Sequence, residues 1–149
     1  MHRTFAVALV AAIALALAGC GSGERTETVG STQLVHRLVS ACRAGERAGR
    51  AALGRRFERV SFVLAQRESL RTTMDEIDHL EATGPARANY DAYKRTVQTR
   101  LEALDKVASA DEAERRAVLA REAPAISEAQ ARAHGLVVGI SEELRMQCF

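Results

Sequence analysis

The sequence predicts an all-α protein: an antiparallel up-down four-helix bundle, preceded by an apolar leader and a polar tether. Three observations lead there. Apolar residues recur at three- and four-residue spacing through four long runs, the period of a helix with one buried face. Glycine and proline interrupt the runs at Gly54 and at Gly84-Pro85, and again at Pro124 and Gly135. No alternating apolar–polar stretch of useful length suggests a strand.

The leader comes first. His2 and Arg3 are followed by Phe5 to Ala18 without one polar side chain, the layout of a secretory signal peptide. That run is too short to be read first as a membrane span, which needs about 20 apolar residues. Leu17-Ala18-Gly19-Cys20 resembles a lipobox, the cleavage site of bacterial lipoproteins. The resemblance implies removal of residues 1–19, diacylglyceryl transfer to the Cys20 thiol, and further acylation, as by palmitate, of the new amino terminus. Two or three acyl chains hold a protein firmly to a bilayer, whereas one does so only marginally. The expected address is the extracytoplasmic face of the cell membrane. Residues 20–31, "CGSGERTETVGS", are polar, Gly-rich and aperiodic, and so read as the lipidated cysteine and a flexible tether.

Residues 32–149 form the bundle domain, a length suited to one core. In the first run Val35, Leu38, Cys42, Gly45, Gly49 and Ala52 make the stripe. Its lower half is small residues, so Gly45-x-x-x-Gly49 allows a neighbouring helix to approach closely. His36, Arg43, Arg47 and Arg50 occupy another sector, a basic face that is either solvated or turned to a membrane or partner. A second run extends from about Arg55 to Glu81, with Val60, Val63, Leu64, Leu70, Met74, Ile77 and Leu80 as its stripe. Gly84 suits a helix exit and Pro85 the first turn of the next helix. The third run carries Tyr90, Val97, Leu101, Leu104 and Ala108 on one face. Ser109 and Glu112 have capping-box spacing and predict a fresh helix start. In the Ala-rich fourth run Pro124 predicts a kink or break, since an interior proline costs about 3 kcal/mol. Beyond Gly135 the chain reads equally as a loop with a short extra helix or as a continuation.

Lys and Arg total 21 against 19 for Asp and Glu, but the charge is uneven: +5 from Glu24 to Arg71 and −4 from Asp75 to Phe149. Helices of opposite sign lying side by side explain this, and so does a face toward anionic lipid headgroups. Secretion and the absence of Trp argue against nucleic acid as a partner. Besides Cys20 the chain has Cys42 and Cys148, which outside the cytoplasm read as a disulfide; two buried thiols are the alternative.

The order of lipobox, tether, helix with an early Ala41-Cys42, "LEATGP" before a Tyr-bearing helix, then "ARAHGL" and a late cysteine resembles small actinobacterial lipoproteins with a helical bundle and no established activity. Here eleven residues separate Gly135-Leu136 from Cys148, and Gly84-Pro85 replaces the usual Pro-Pro. The resemblance implies a fold and an address rather than a reaction.

Catalytic patterns are sparse. Glu76-x-x-His79 has the spacing of di-iron bundles, but His134 and His36 have Ala131 and Gln33 three residues earlier, so the second pair is missing. No nucleophile elbow, phosphate loop, dinucleotide fingerprint or zinc-spaced cluster occurs. The expectation is a non-catalytic protein without cofactor or metal, an interaction or scaffolding module with an envelope protein as partner. The alternative is a ligand-binding lipoprotein holding a small apolar or metal ligand between helices. A pocket above about 300 Å³ favours the ligand. An exposed apolar patch beyond a few hundred Å² favours the partner.

Overall fold

The computed structural model describes residues 26–55, 58–142 and 144. The leader, Cys20, most of the tether and Cys148 lie outside the described residues. The rest is mostly helical: β1 (Glu27–Val29), α1 (Ser31–Leu53), α2 (Arg59–Ile77), β2 (Leu80–Ala82), a 3₁₀ turn (Gly84–Ala86), α3 (Arg87–Ser109) and α4 (Arg115–Ile140).

The two strands correct the sequence reading at two places. The end of the expected tether is part of the fold, because Val29 is buried in the core. The second helix stops at Ile77 instead of running to Glu81. β1 and β2 pair in parallel, with Glu27 opposite Leu80 and Val29 opposite Ala82. The Glu27 amide donates to the His79 carbonyl at 2.9 Å, and the Thr83 amide to the Val29 carbonyl at 3.0 Å. Two short strands are marginal alone. Here Val29, Leu80 and Ala82 drive their side chains into the helical core, while Gln33 and Arg37 on α1 hold the Glu27 carboxylate at 3.0 and 2.8 Å.

Helix ends follow from local chemistry. Gly54, at φ +55°, closes α1 with its amide on the Arg50 carbonyl, a left-handed conformation that glycine adopts without a Cβ penalty. The orphan carbonyls at the end of α2 find donors on α3. The Tyr90 hydroxyl donates to Ile77 at 2.8 Å, and Lys94 Nζ to Asp78 and Leu80 at 3.2 and 3.3 Å. Ser109 instead ends α3, its hydroxyl donating back to Asp105, and α4 starts at Arg115 without a side-chain cap. The anticipated capping box is not formed. α4 also runs unbroken through Pro124 and past Gly135 to Ile140. Pro124 gives no N–H to the carbonyl of Ala120, but both residues are on the exposed side of the helix, where water can replace that bond.

α1 packs on α2 and α3 on α4, with α2 joined to α3. Along the first seam Thr73 Oγ1 reaches Ala41, Gly45 abuts Ser69, and Gly49 abuts Ala65. A Cβ at Gly45 would overlap the Thr73 hydroxyl and the Ser69 carbonyl; one at Gly49 would stand 3.0 Å from the Ala65 carbonyl. The buried line on α1 is Leu34, Leu38, Ala41, Gly45 and Gly49, so the stripe is rotated from the expected one: Val35 and Cys42 are half-buried and Ala52 is exposed. Across the α2–α3 seam Arg67 pairs with Asp105, Gln66 with Arg100, and Ile77 with Tyr90. Across the α3–α4 seam Asn89 meets Gly139, Arg100 meets Gln130 and Lys106 meets Glu122. Along the α1–α2 and α3–α4 seams residue numbers rise on one helix as they fall on the other, and from Arg67–Asp105 to Ile77–Tyr90 the α2–α3 seam does the same.

The core has two parts. A large cluster around Val29, Leu34, Leu38, Ile77, Leu80, Tyr90 and Val137 sits at the strand end and takes in Leu144. A smaller one, Val63, Ala103, Leu104, Val107, Val118 and Ile126, lies at the other end and draws nothing from α1.

Candidate functional site

The residues singled out by sequence do not converge. His36, Arg43, Arg47 and Arg50 are all exposed on α1, and Arg50 pairs with Glu46 one turn away. Cys42 is half-buried on α1 and has an interaction partner. Glu76 is exposed on α2, while His79 lies beyond the helix end with Nε2 3.9 Å from Glu27. Among the described residues no three Asp, Glu, His or Cys side chains gather as a metal site, and no helix is long and apolar enough to cross a membrane.

What the fold does create is a cleft between the N-terminal halves of α2 and α4, about 1050 Å³ in volume. α2 lies close against α1 at Gly45 and Gly49 and makes few contacts with α4. Val60, Leu64 and Leu119 are consequently only half-buried along the gap, and Phe62, 54 % exposed, stands among the lining residues. The walls are amphipathic: Val63, Leu64, Leu119, Ala123 and Ile126 supply apolar surface, and arginines and glutamines the polar part.

Behind the cleft lies Arg100, only 7 % exposed. Its Nη2 donates to Gln66 Oε1 at 3.1 Å and to Gln130 Oε1 at 3.0 Å, and both glutamines line the cleft. Among the described residues its Nε–H has no acceptor. Burial lowers the Arg100 pKa, and the neighbouring Tyr93 raises it only in part. A buried cation held by two neutral amides is costly, because each ion taken from water loses several kcal/mol unless its charge is matched. By contrast, Arg67 nearby is braced by Asp105, the bond that holds its pKa above the ordinary value, and by Glu68 at 2.6 Å. A second orphan is Nε of Arg115, a cleft-lining residue whose Nη2 donates to the Ala110 carbonyl at 3.0 Å.

Sequence reasoning missed Arg100, Gln66 and Gln130. A signal existed. Tyr93, Val97, Arg100 and Leu104 follow four-three-four spacing, so an arginine stands on the buried stripe of α3. Leu101 next to it also fits the stripe and took its place in the reading. Comparison of the chain with known protein families, curated proteins and solved structures gives no match.

Proposed function

We propose that this protein is a lipid-anchored, extracytoplasmic ligand-binding module without catalytic activity, built as an up-down four-helix bundle and holding its ligand in the α2–α4 cleft. The observation that carries the reading is the cleft, whose 1050 Å³ is ample for a small-molecule ligand. The opposed residue numbering on three successive helix seams supports the up-down arrangement. An interaction with an envelope protein is the second reading, favoured by exposed Phe62 beside the same cleft.

The anchor rests on the lipobox-like Leu17-Ala18-Gly19-Cys20. Glu27 follows Cys20 by seven positions, so acyl chains there would hold the strand end within about 25 Å of a bilayer. The cleft involves the starts of α2 and α4, the ends remote from the strands, and so would face away from the membrane. A Cys42–Cys148 disulfide fits this arrangement. Leu144 already joins the cluster that contains Ala41, four residues before Cys148 and one before Cys42.

Mass spectrometry of membrane-extracted protein should find a chain beginning at acylated Cys20, and non-reducing peptide mapping a Cys42–Cys148 cross-link. For the cleft, the full chain should take up an apolar fluorophore, and Ala123→Phe should abolish uptake without unfolding the protein. Uptake unchanged in that variant would remove the cleft as the ligand site.

A further inference from the structure

We infer that the Arg100 layer makes this cleft selective for an amphiphile bearing one carboxylate, with the anion drawn toward Arg100 and the apolar part against Val60, Leu64 and Leu119. The inference rests on the ligand-binding reading above and adds the ligand's chemistry.

Four observations converge. Arg100 is a buried guanidinium with no ion pair among the described residues, and its Nε–H lacks an acceptor. The two side chains that hold it are themselves walls of the cleft, so the charge lies one side chain away from the cavity. The other orphaned buried side-chain nitrogen among the described residues, Arg115 Nε, belongs to a residue lining the same cavity. The acidic lining residues, Glu58 and Glu112, are both exposed.

An entering carboxylate brings a counter-charge to within one side chain of a guanidinium now held only by amide dipoles. Hydrogen bonds to a charged group are stronger than those between neutral ones. The carboxylate is the anion of smallest desolvation cost that still answers the buried Arg100 charge beside apolar walls. The volume and the aliphatic surface call for more than a small acid, because water and a few ions would leave Val60, Leu64 and Leu119 uncovered.

The test compares decanoate with decanol, the same chain with and without the charge, by calorimetry on the full chain near neutral pH. The expected result is decanoate binding at least about tenfold more tightly, a difference of about 1.4 kcal/mol. Arg100→Met should erase the preference while decanol binding persists, and Arg100→Lys should keep part of it. Circular dichroism confirms that each variant is folded, and the decanoate-to-decanol ratio of the unaltered protein decides the question if one is not. Equal binding of both probes, or a preference unchanged in Arg100→Met, overturns the anion selectivity and leaves the cleft as a binding site. Binding of neither probe overturns both readings.

Discussion

The two ends of this molecule are built from the same helices yet differ in how completely they close. At the strand end, α1, α2, α3 and α4 all contribute to one cluster, and β1 and β2 cross-link the chain between Glu27 and Thr83. Tyr90 is fully buried there, and its hydroxyl still finds the Ile77 carbonyl. At the other end α1 contributes no buried apolar side chain to the cluster, and α2 stands apart from α4. One end spends its apolar surface on the core and the other leaves a cleft. The difference teaches that one set of helices can close around a core at one end while two of them stand apart at the other.

The comparison can be broken most directly by cavity formation. Leu34→Ala, at a fully buried position of the strand end, should destabilise by about 3–5 kcal/mol, whereas Ile126→Ala beside the cleft should cost nearer 2 kcal/mol. Urea unfolding measures both, and equal losses would mean that the two ends are equally packed. Gly45→Ala comes next. Its Cβ would meet the Ser69 backbone, which cannot swing aside as a side chain can. A net loss of about 2 kcal/mol is expected from overpacking, even though alanine favours helix. A stabilised variant would show that α1 and α2 are not in such close contact.

Alkaline titration probes the strand end and the Arg100 layer together. Burial raises the Tyr90 pKa and pushes the Tyr93 pKa up to about 12. Both phenols therefore hold their protons more tightly in the folded chain than in the unfolded one. Their contribution is intact below about pH 10, the ordinary tyrosine value, and is lost as pH rises through the folded values. Tyr93 alone accounts for on the order of 2 kcal/mol across pH 10–12. Tyr93→Phe should flatten that decline in stability–pH curves, and an unchanged curve would refute the burial argument. The smallest effect is expected at Gly135, exposed within α4 with open space around its Cβ position. Gly135→Ala should stabilise by about 0.5–1 kcal/mol, read as a raised melting temperature.

Legibility in the sequence followed the range of the interactions involved. Leu38 and Gly45–Gly49 on α1, and Tyr90, Val97, Leu101 and Leu104 on α3, were readable because a helix repeats its buried face every few residues. Gly54 was readable because its left-handed φ is a local need. β2 was not. Leu80 continues the Met74–Ile77 spacing, and a three-residue strand is too short to declare its own period. The continuity of α4 through Pro124 was hidden for another reason: the local cost of a proline is offset by buried contacts on either side of it, at Val118 and Ile126. Arg100 was visible as an anomaly on a stripe, but its glutamine partners come from helices 34 and 30 residues away.

Composition and period by themselves determined the helical class of this chain, the small-residue face of α1, and the apolar run from Phe5 to Ala18 ahead of Cys20. Each depends on residues within a few positions of one another. Tertiary structure alone decided the pairing of β1 with β2, the closure of one end, the cleft at the other and the isolation of the Arg100 charge. Those depend on partners far apart in the chain, as Glu27 stands opposite Leu80 and Arg100 meets Gln66 and Gln130, and no local period encodes them.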